Sequence, residues 1–437
     1  MKRLYVYGWD SESQGEAITQ FGSSKEINLV RWISEYGVER KMEWRNLHYR
    51  PFTLNESSAI IDDQTYARIY KHFPIAIDMY SRVAYTRGFP PQEFTNILNM
   101  YVRYFYADLK LTKPDIVLFG NIPHFGIDYI LYLCAVELKI ETRIVFQTLF
   151  PNRFFSVSSF EELNKLDNSD HNSKNAIVVK KSFKKDLFYM KKAKQKYGFC
   201  YTKMLADFVR KSFYRRQPLT FSGIIVKFSE CRIFTKLYPN AIKNDIDLSI
   251  NYIYFPLQLQ PELTTSALGG IYVDQLLALE QLSAILPDNW KIYVKENPKQ
   301  TPKQRREFFF KRLKAIPNIE YLSSRINTHK LIEHSQLVAV VTGTAGWEAI
   351  SGGIPVIIFG QAWYSSLPGV YKYSDNIDIK KISSRNIDHS NLEVKLNQLL
   401  DNAYEGVVDL EYNEIVKNYS DSKNVEYILT YLRKLAI

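Results

Sequence analysis

The sequence predicts an α/β protein built from two doubly wound, Rossmann-like domains facing a cleft. Two observations carry this. Short apolar runs alternate with longer amphipathic stretches almost throughout, the pattern of parallel sheets layered with helices. In addition, the 437 residues exceed one ordinary core and suit two domains of roughly 200 residues each.

In chain order, residues 3–8, 115–120 and 142–146 read as strands of a first domain, with a helix over 126–138 between the last two. The aromatic-rich stretch 44–106 reads as helical and packs on that sheet. A second set is better punctuated: strand 250–257, helix 273–285, strand 290–295, helix 303–315, strand 319–322, helix 327–334, strand 337–341, helix 345–351 and strand 355–359. Between the two sets, residues 160–245 show no strand alternation and read as a basic, helical insertion. The expected division is therefore 1–245 as a first domain, 246–415 as a second, and 416–437 as a closing helix over 425–435. Two such domains across a cleft make a GT-B-like architecture, a likeness of architecture alone.

Composition narrows the class. With 46% hydrophobic residues the chain is globular, and the three cysteines have no paired spacing, which suits a reducing, cytoplasmic setting. No run of 18 apolar residues occurs, so no membrane span is expected. The net charge of +11 is concentrated at residues 180–216, including Lys180, Lys181, Lys184 and Lys185. That region is a candidate for peripheral contact with an anionic surface at the inner face of the cytoplasmic membrane, or with an assembly partner. No nucleic-acid-binding motif accompanies it, and no nucleic-acid partner is expected.

Polar clusters fall where strands should end, which is where doubly wound sheets bind ligands. In FPLQLQPELTTSALGG (255–270), Glu262 is a candidate nucleophile or proton acceptor, and Gln258 and Gln260 are candidate sugar contacts. A plainer role for the hydroxyls and glycines is to cap and turn into a helix. In YVKENPKQ (293–300), Lys295 and Asn297 are placed to meet phosphate or ribose. In VAVVTGTAGWEAISGGIPVIIFGQAWY (338–364), Thr342, Gly343, Thr344 and Gly346 form a small-residue turn before a helix, where backbone N–H groups and the helix dipole favour an anion. Glu348, one turn in, would accept from ribose hydroxyls. The spacing fits neither a Walker A loop nor a G-x-G-x-x-G fingerprint.

In the first domain, FGNIPHFGID (119–128) suggests His124 with Asp128 as an acid/base pair four residues apart. FQTLFPNRFF (146–155) offers Gln147, Asn152 and Arg153 to an acidic sugar. Glu161 and Glu162 follow as general acid/base candidates, and Asp10 also sits at a strand end. Asp245-Ile246-Asp247 has D-x-D spacing but lies in a poorly patterned segment, so metal-independent chemistry without a cofactor is expected.

Taken together, FPLQLQPE, YVKENP and VTGTAGWEAISGGIPVIIFGQAWY resemble the bacterial capsule polysaccharide synthesis family, which includes retaining β-Kdo transferases. The resemblance covers residues 250–365. It implies a GT-B fold, a CMP-activated 3-deoxy-2-ulosonic acid as donor, and a glycan acceptor of capsule or lipopolysaccharide, lipid-linked in some systems. Carried across, Thr342, Gly343 and Thr344 would hold the CMP phosphate, Glu348 the ribose, and Glu262 would be the nucleophile of a double displacement; Glu161 or Glu162 would serve the acceptor hydroxyl. Two positions depart from the family pattern: Asn297 replaces a histidine before proline, and Glu262 replaces an aspartate. The donor is therefore Kdo or a nonulosonic acid such as pseudaminic acid. Two other readings compete: an inverting transferase using a UDP- or GDP-sugar with His124 as base, and a non-enzymatic scaffold that binds glycan or membrane.

Overall fold

The computed structural model describes residues 1–34, 41–43, 47, 60–83, 86, 88–165, 176–182 and 221–437. The chain divides into two units, the first formed by Met1–Glu162 with Asn402–Ile437 and the second by Phe221–Asp401 with the described residues that follow Glu162.

The first unit holds a sheet of seven strands: β1 (Lys2–Tyr7), β2 (Ile27–Ser34), β3 (Lys41–Glu43), β4 (Ile116–Phe119), β5 (Glu141–Gln147), β6 (Arg153–Val157) and, from the chain's end, β13 (Tyr404–Glu405). Their order is β13-β6-β5-β4-β1-β2-β3. The five strands from β3 to β5 are parallel, while β6 and β13 join antiparallel. Chain order reverses between β1 and β4, the switch point where open α/β sheets bind ligands. β4 is buried on both faces, which explains its unbroken apolar run.

The second unit is entirely parallel. Its strands are β7 (Tyr252–Pro256), β8 (Lys291–Lys295), β9 (Ile319–Leu322), β10 (Leu337–Val340), β11 (Val356–Ile358) and β12 (Val370–Lys372), in the order β12-β11-β10-β7-β8-β9. That is the doubly wound order with its switch point between β7 and β10. The core runs through Ile253, Phe255, Ile292, Val294, Leu337, Ala339 and Ile357. Both units are thus α/β and Rossmann-like, as the alternation predicted.

The domain division differs from the expected one. Helix Phe221–Ala241, read as part of an insertion in the first domain, belongs to the second unit, where Phe234 meets Phe310 at 6.2 Å between ring centroids. The closing helix extends over Asp421–Ala436 and returns to the first unit, packing on helix Glu12–Ser23. Residues 176–182, the start of the basic region, run along helix His389–Leu400, where Ile177 N donates to Asn397 Oδ1 at 2.7 Å and Val179 N to Glu393 at 2.7 Å. Residues 183–216 of the basic cluster lie outside the described residues. Among the described residues no helix is long and apolar enough to cross a membrane.

An aromatic cluster ties the C-terminal helix to the sheet. Tyr431 meets Phe154 edge-on at 5.2 Å, Tyr404 at 4.7 Å and Trp9 in a stack at 6.4 Å, and its hydroxyl pairs with Ser156 at 2.7 Å. Removing a buried aromatic side chain leaves a cavity that the surrounding structure fills only in part. Tyr431→Ala should therefore lower stability by about 3–5 kcal/mol, seen as an earlier urea midpoint, whereas Tyr431→Phe loses only the Ser156 contact, about 1 kcal/mol.

Candidate functional site

At the switch point of the second unit, β10 runs into the Thr-Gly-Thr turn and helix Ala345–Gly352. Thr344 stands at the helix N-cap with no side-chain capping bond, so no side-chain oxygen closes this helix start from the cap position. The turn is held from two sides. Gln258, just beyond β7, reaches across: with its amide turned so that both side-chain atoms are satisfied, its nitrogen donates to Thr265 Oγ1 and Thr342 Oγ1, both at 3.1 Å, and its oxygen accepts from Thr342 N at 2.8 Å and from Gly343 N. From beneath, the Tyr364 hydroxyl donates to the Gly343 carbonyl.

This packing explains the two glycines. A Cβ on Gly343 would lie 2.5 Å from the Gln258 amide, and one on Gly346 would fall inside contact distance of the Tyr364 hydroxyl, with the ring carbon behind it at 2.8 Å. Gly343 is thus a close-approach residue. It also means that the amides of Thr342 and Gly343 are already used within the fold, a departure from the expectation that they meet phosphate.

Gln258 and Gln260 lie on an extended segment past the last rung of β7. Their backbone groups are paired by two other glutamines in place of a strand. Gln275 accepts from Gln258 N at 2.7 Å and donates to its carbonyl at 3.0 Å; Gln300 does the same for Gln260 at 2.9 and 3.0 Å. The Gln260 side chain accepts from Arg305 at 3.2 Å and donates to the Val273 carbonyl. Arg305 in turn forks onto Glu296, at 2.7 and 3.2 Å, with both side chains 1% exposed, and Tyr321 donates to the same carboxylate at 2.8 Å. The amides of Gln258 and Gln260, expected to contact sugar, are therefore spent on internal partners.

This scaffold presents a smaller set of groups. Glu262, partly exposed, N-caps helix Leu263–Leu268 by accepting from Thr264 N at 3.2 Å and Thr264 Oγ1 at 3.1 Å. Lys295 closes β8, is buried, and donates to Thr328 Oγ1 at 2.5 Å. Burial pushes its ammonium down to about 8, with the Glu348 carboxylate pulling it back up. Glu348 is buried, and its charge also raises the Tyr254 and Tyr364 hydroxyls after the larger effect of their own burial. Asn297 shapes the turn after β8, its side chain accepting from Lys299 N at 2.9 Å.

The first unit treats its candidates differently. Asp128 accepts from the amides of His124, Phe125 and Tyr129, each at 2.8 Å. It sits in the first turn of helix Ile127–Glu137, whose N-cap is Gly126, and burial lifts its carboxyl to about 6 against the lowering by those amides. The His124 ring turns its Nδ1 to the Ile122 carbonyl at 2.5 Å and stands 3.9 Å from Asp128. Burial, with Arg82 nearby, pushes the imidazole down to about 3. A neutral imidazole bonded to a carbonyl is not the expected acid/base pair.

Two further expectations, for residues 146–155 and for Glu162, are corrected. Residues 146–155 do not leave a strand end open to a sugar, because β6 folds back antiparallel on β5. Gln147 donates to the Arg153 carbonyl at 2.9 Å and accepts from Val408 N at 2.6 Å, so it braces the C-terminal segment, and Arg153 itself begins β6. Glu162 accepts from Ser158 N at 2.9 Å and Ser158 Oγ, closing a turn, whereas Glu161 beside it is exposed. Asp247 of the D-x-D stretch accepts from Ser249 N at 2.9 Å and Oγ at 2.6 Å.

The carboxyl ends of the second unit's parallel strands thus bring together a helix start without a side-chain cap, the buried Lys295 and the buried Glu348, at the place where doubly wound sheets bind ligands. Residues 173–405 match the family model described as capsule polysaccharide biosynthesis protein, and the chain belongs to that family. No curated protein matches the sequence. Among solved structures, the Thermosulfurimonas dismutans KpsC beta Kdo 2,7 transferase is similar at 11% identity over 99% of this chain and 100% of that one, with a TM-score of 0.38. The beta Kdo 2,4 transferase of the same KpsC is 11% identical over 72% of this chain and 86% of that one, with a TM-score of 0.32. A UDP-GlcNAc 2-epimerase from Methanocaldococcus jannaschii is 12% identical over 99% of this chain and 100% of that one, at a TM-score of 0.23.

The residues that the sequence reasoning missed are Gln275, Gln300, Arg305 and Tyr364, which hold the site without facing it. Truncating one partner of a buried ion pair strands the other charge. Arg305→Ala should therefore destabilise the second unit by about 3–5 kcal/mol in denaturant unfolding, while the paired change Arg305→Met with Glu296→Leu recovers much of it.

Proposed function

We propose that this chain is a glycosyltransferase of capsule or lipopolysaccharide assembly that moves a CMP-activated 3-deoxy-2-ulosonic acid onto a glycan with retention of configuration. The observation that carries this reading is the second unit's switch point. There the start of helix Ala345–Gly352, lacking a side-chain cap, lies in one site with the buried Lys295 and Glu348. The helix terminus and the ammonium suit a phosphate, and a buried carboxylate suits ribose hydroxyls. Family membership and the KpsC names lend the donor its sugar class.

Retention follows from two displacements. In the first, a carboxylate oxygen bonds to the anomeric carbon and CMP departs with the electron pair of the broken bond. In the second, an acceptor oxygen displaces the carboxylate and its proton passes to a base. Glu262 is the nucleophile in this reading, since its cap bonds to Thr264 hold it in place while leaving it partly exposed. Glu161, exposed on the first unit, is the better of the two acids for the acceptor proton, because Glu162 is tied to Ser158. The weak basicity of His124 weighs against the inverting alternative.

CMP should raise the melting temperature more than UDP or GDP, because a ligand that binds the native state alone stabilises it. Glu262→Gln keeps the cap acceptor, so it should cut transfer from CMP-sugars by about a thousandfold or more while CMP affinity stays within about threefold. Transfer at the wild-type rate by Glu262→Gln would remove this residue from the chemistry, and stabilisation by UDP or GDP alone would remove the CMP-sugar reading.

Affinity for CMP should also report Lys295. Only its ammonium attracts phosphate, so affinity should hold below pH 8 and fall by up to about tenfold per pH unit above it, with Lys295→Arg flattening the profile. Stability runs the other way. The folded pKa lies below the usual lysine value, so between about pH 8 and 10.5 the unfolded chain binds more protons and this group's contribution to stability rises with pH.

A further inference from the structure

The first unit has a cavity of its own at its switch point, of about 380 Å³, outside the carboxyl ends of β1 and β4. That is room for a sugar ring and part of a second. Among the described residues its walls include Asp10, Asn121, His124, Asp409 and Trp9, and contain neither lysine nor arginine.

In a Rossmann-type sheet the helix starts at such a point usually receive an anion. Here the first is capped by the chain itself and the second has a carboxylate in its first turn. Helix Glu12–Ser23 opens with a capping box, in which Ser11 accepts from Gln14 N at 3.3 Å and Gln14 accepts from Ser11 N at 3.1 Å. Around the start of helix Ile127–Glu137, whose N-cap Gly126 has no side-chain cap, Asp128 takes the amides of His124, Phe125 and Tyr129. An anion entering this cavity therefore finds one helix start capped and the other fronted by the Asp128 carboxylate, and meets Asp10 and Asp409 as well.

What the walls offer instead suits hydroxyl groups. His124 Nδ1 is engaged with the Ile122 carbonyl, which leaves Nε2 as an acceptor in the neutral ring. Asp10 is exposed, with one oxygen accepting from Ser34 at 2.7 Å, and Asp409 accepts from Glu411 N at 3.1 Å. The indole N–H of Trp9 is the donor. Trp9 is 2% exposed, and its Nε1 has no hydrogen-bond partner among the described residues. Its ring is set by two successive left-handed residues, Gly8 at φ 80° and Trp9 at φ 67°. Gly120 makes space for it, since a Cβ there would stand 2.7 Å from Trp9 N and 3.3 Å from Nε1.

We propose that this cavity binds an uncharged, polyhydroxylated sugar residue, held by Asp10, Asp409 and His124 as acceptors and by the Trp9 indole as donor. Naming that sugar the acceptor of transfer rests on the reaction proposed above; its binding does not.

The test is saturation-transfer NMR with titration on the full chain, using methyl β-D-galactoside and N-acetylglucosamine as neutral probes, glucuronate and Kdo as anionic ones, and glucosamine as a cationic one. Binding of a neutral probe in preference to both charged classes is expected. Asp10→Asn and Asp409→Asn should each weaken it by about fivefold or more, and the melting temperature of each variant should match wild type. Equal or tighter binding of an anionic probe, preference for glucosamine, no binding of any probe, or neutral-probe affinity unchanged in both variants would overturn the proposal. A failure of CMP to bind, by contrast, would sink the donor reading and leave this result standing.

Discussion

The second unit depends on one constraint: the backbone that runs past the last rung of β7 is buried and has no strand beside it. Such groups must find partners or forfeit on the order of 1–3 kcal/mol each. Here side-chain amides imitate a strand, with Gln275 and Gln300 each giving one donor and one acceptor to alternate residues. Once the segment is fixed, Gln258 can cross the switch point and brace the Thr-Gly-Thr turn, and Arg305 can anchor Gln260 to Glu296. The position of Glu262 and the shape of the turn are consequences of this amide lattice, and so is the demand for glycine at 343.

The same topology recurs in both units. In each unit the chain order reverses between two central parallel strands, and helices begin beside the reversal. In the first unit, helix Glu12–Ser23 opens with a capping box, whereas helix Ile127–Glu137 there and the helix after β10 in the second unit start without a side-chain cap. Capping is usually counted as helix stabilisation of about 1 kcal/mol. In the readings proposed above, the groups around these helix starts also bear on whether a switch point takes phosphate or hydroxyls.

Much of the fold was legible because buried parallel strands need apolar residues on both faces, so β4, β7, β8 and β10 stand out as runs. The strands that escaped notice lacked that mark. β2 carries Arg31, which pairs with the buried Asp108, and β6 returns in a hairpin that starts at Arg153. The site was legible only by position. A polar residue at a strand end reads as ligand-facing, and for Lys295 and Glu348 the structure gathers the two in one buried cluster. For Gln147, Gln258 and Gln260 the same signal marked internal bracing, since a glutamine that pairs with backbone looks in sequence like one that awaits a sugar. The His124–Asp128 spacing was equally ambiguous: four residues apart fits a dyad or a brace of the turn, and the amides of 124, 125 and 129 select the brace.

Asn297 shows how a departure from a family pattern redistributes a task. In the related motif a histidine precedes the proline and can carry charge. Asparagine cannot titrate, and here it holds the turn through Lys299 N while Glu296 accepts its own amide at 2.9 Å. The adjacent cation of this strand end is then Lys295, whose ammonium is destabilised by burial and rescued in part by Glu348. A buried lysine in that state gains most from a phosphate that arrives without water, because the anion relieves the desolvation that lowered its pKa. Charge at this strand end is thus set by a Lys–Glu pair held within the fold, and Asn297 is left to geometry.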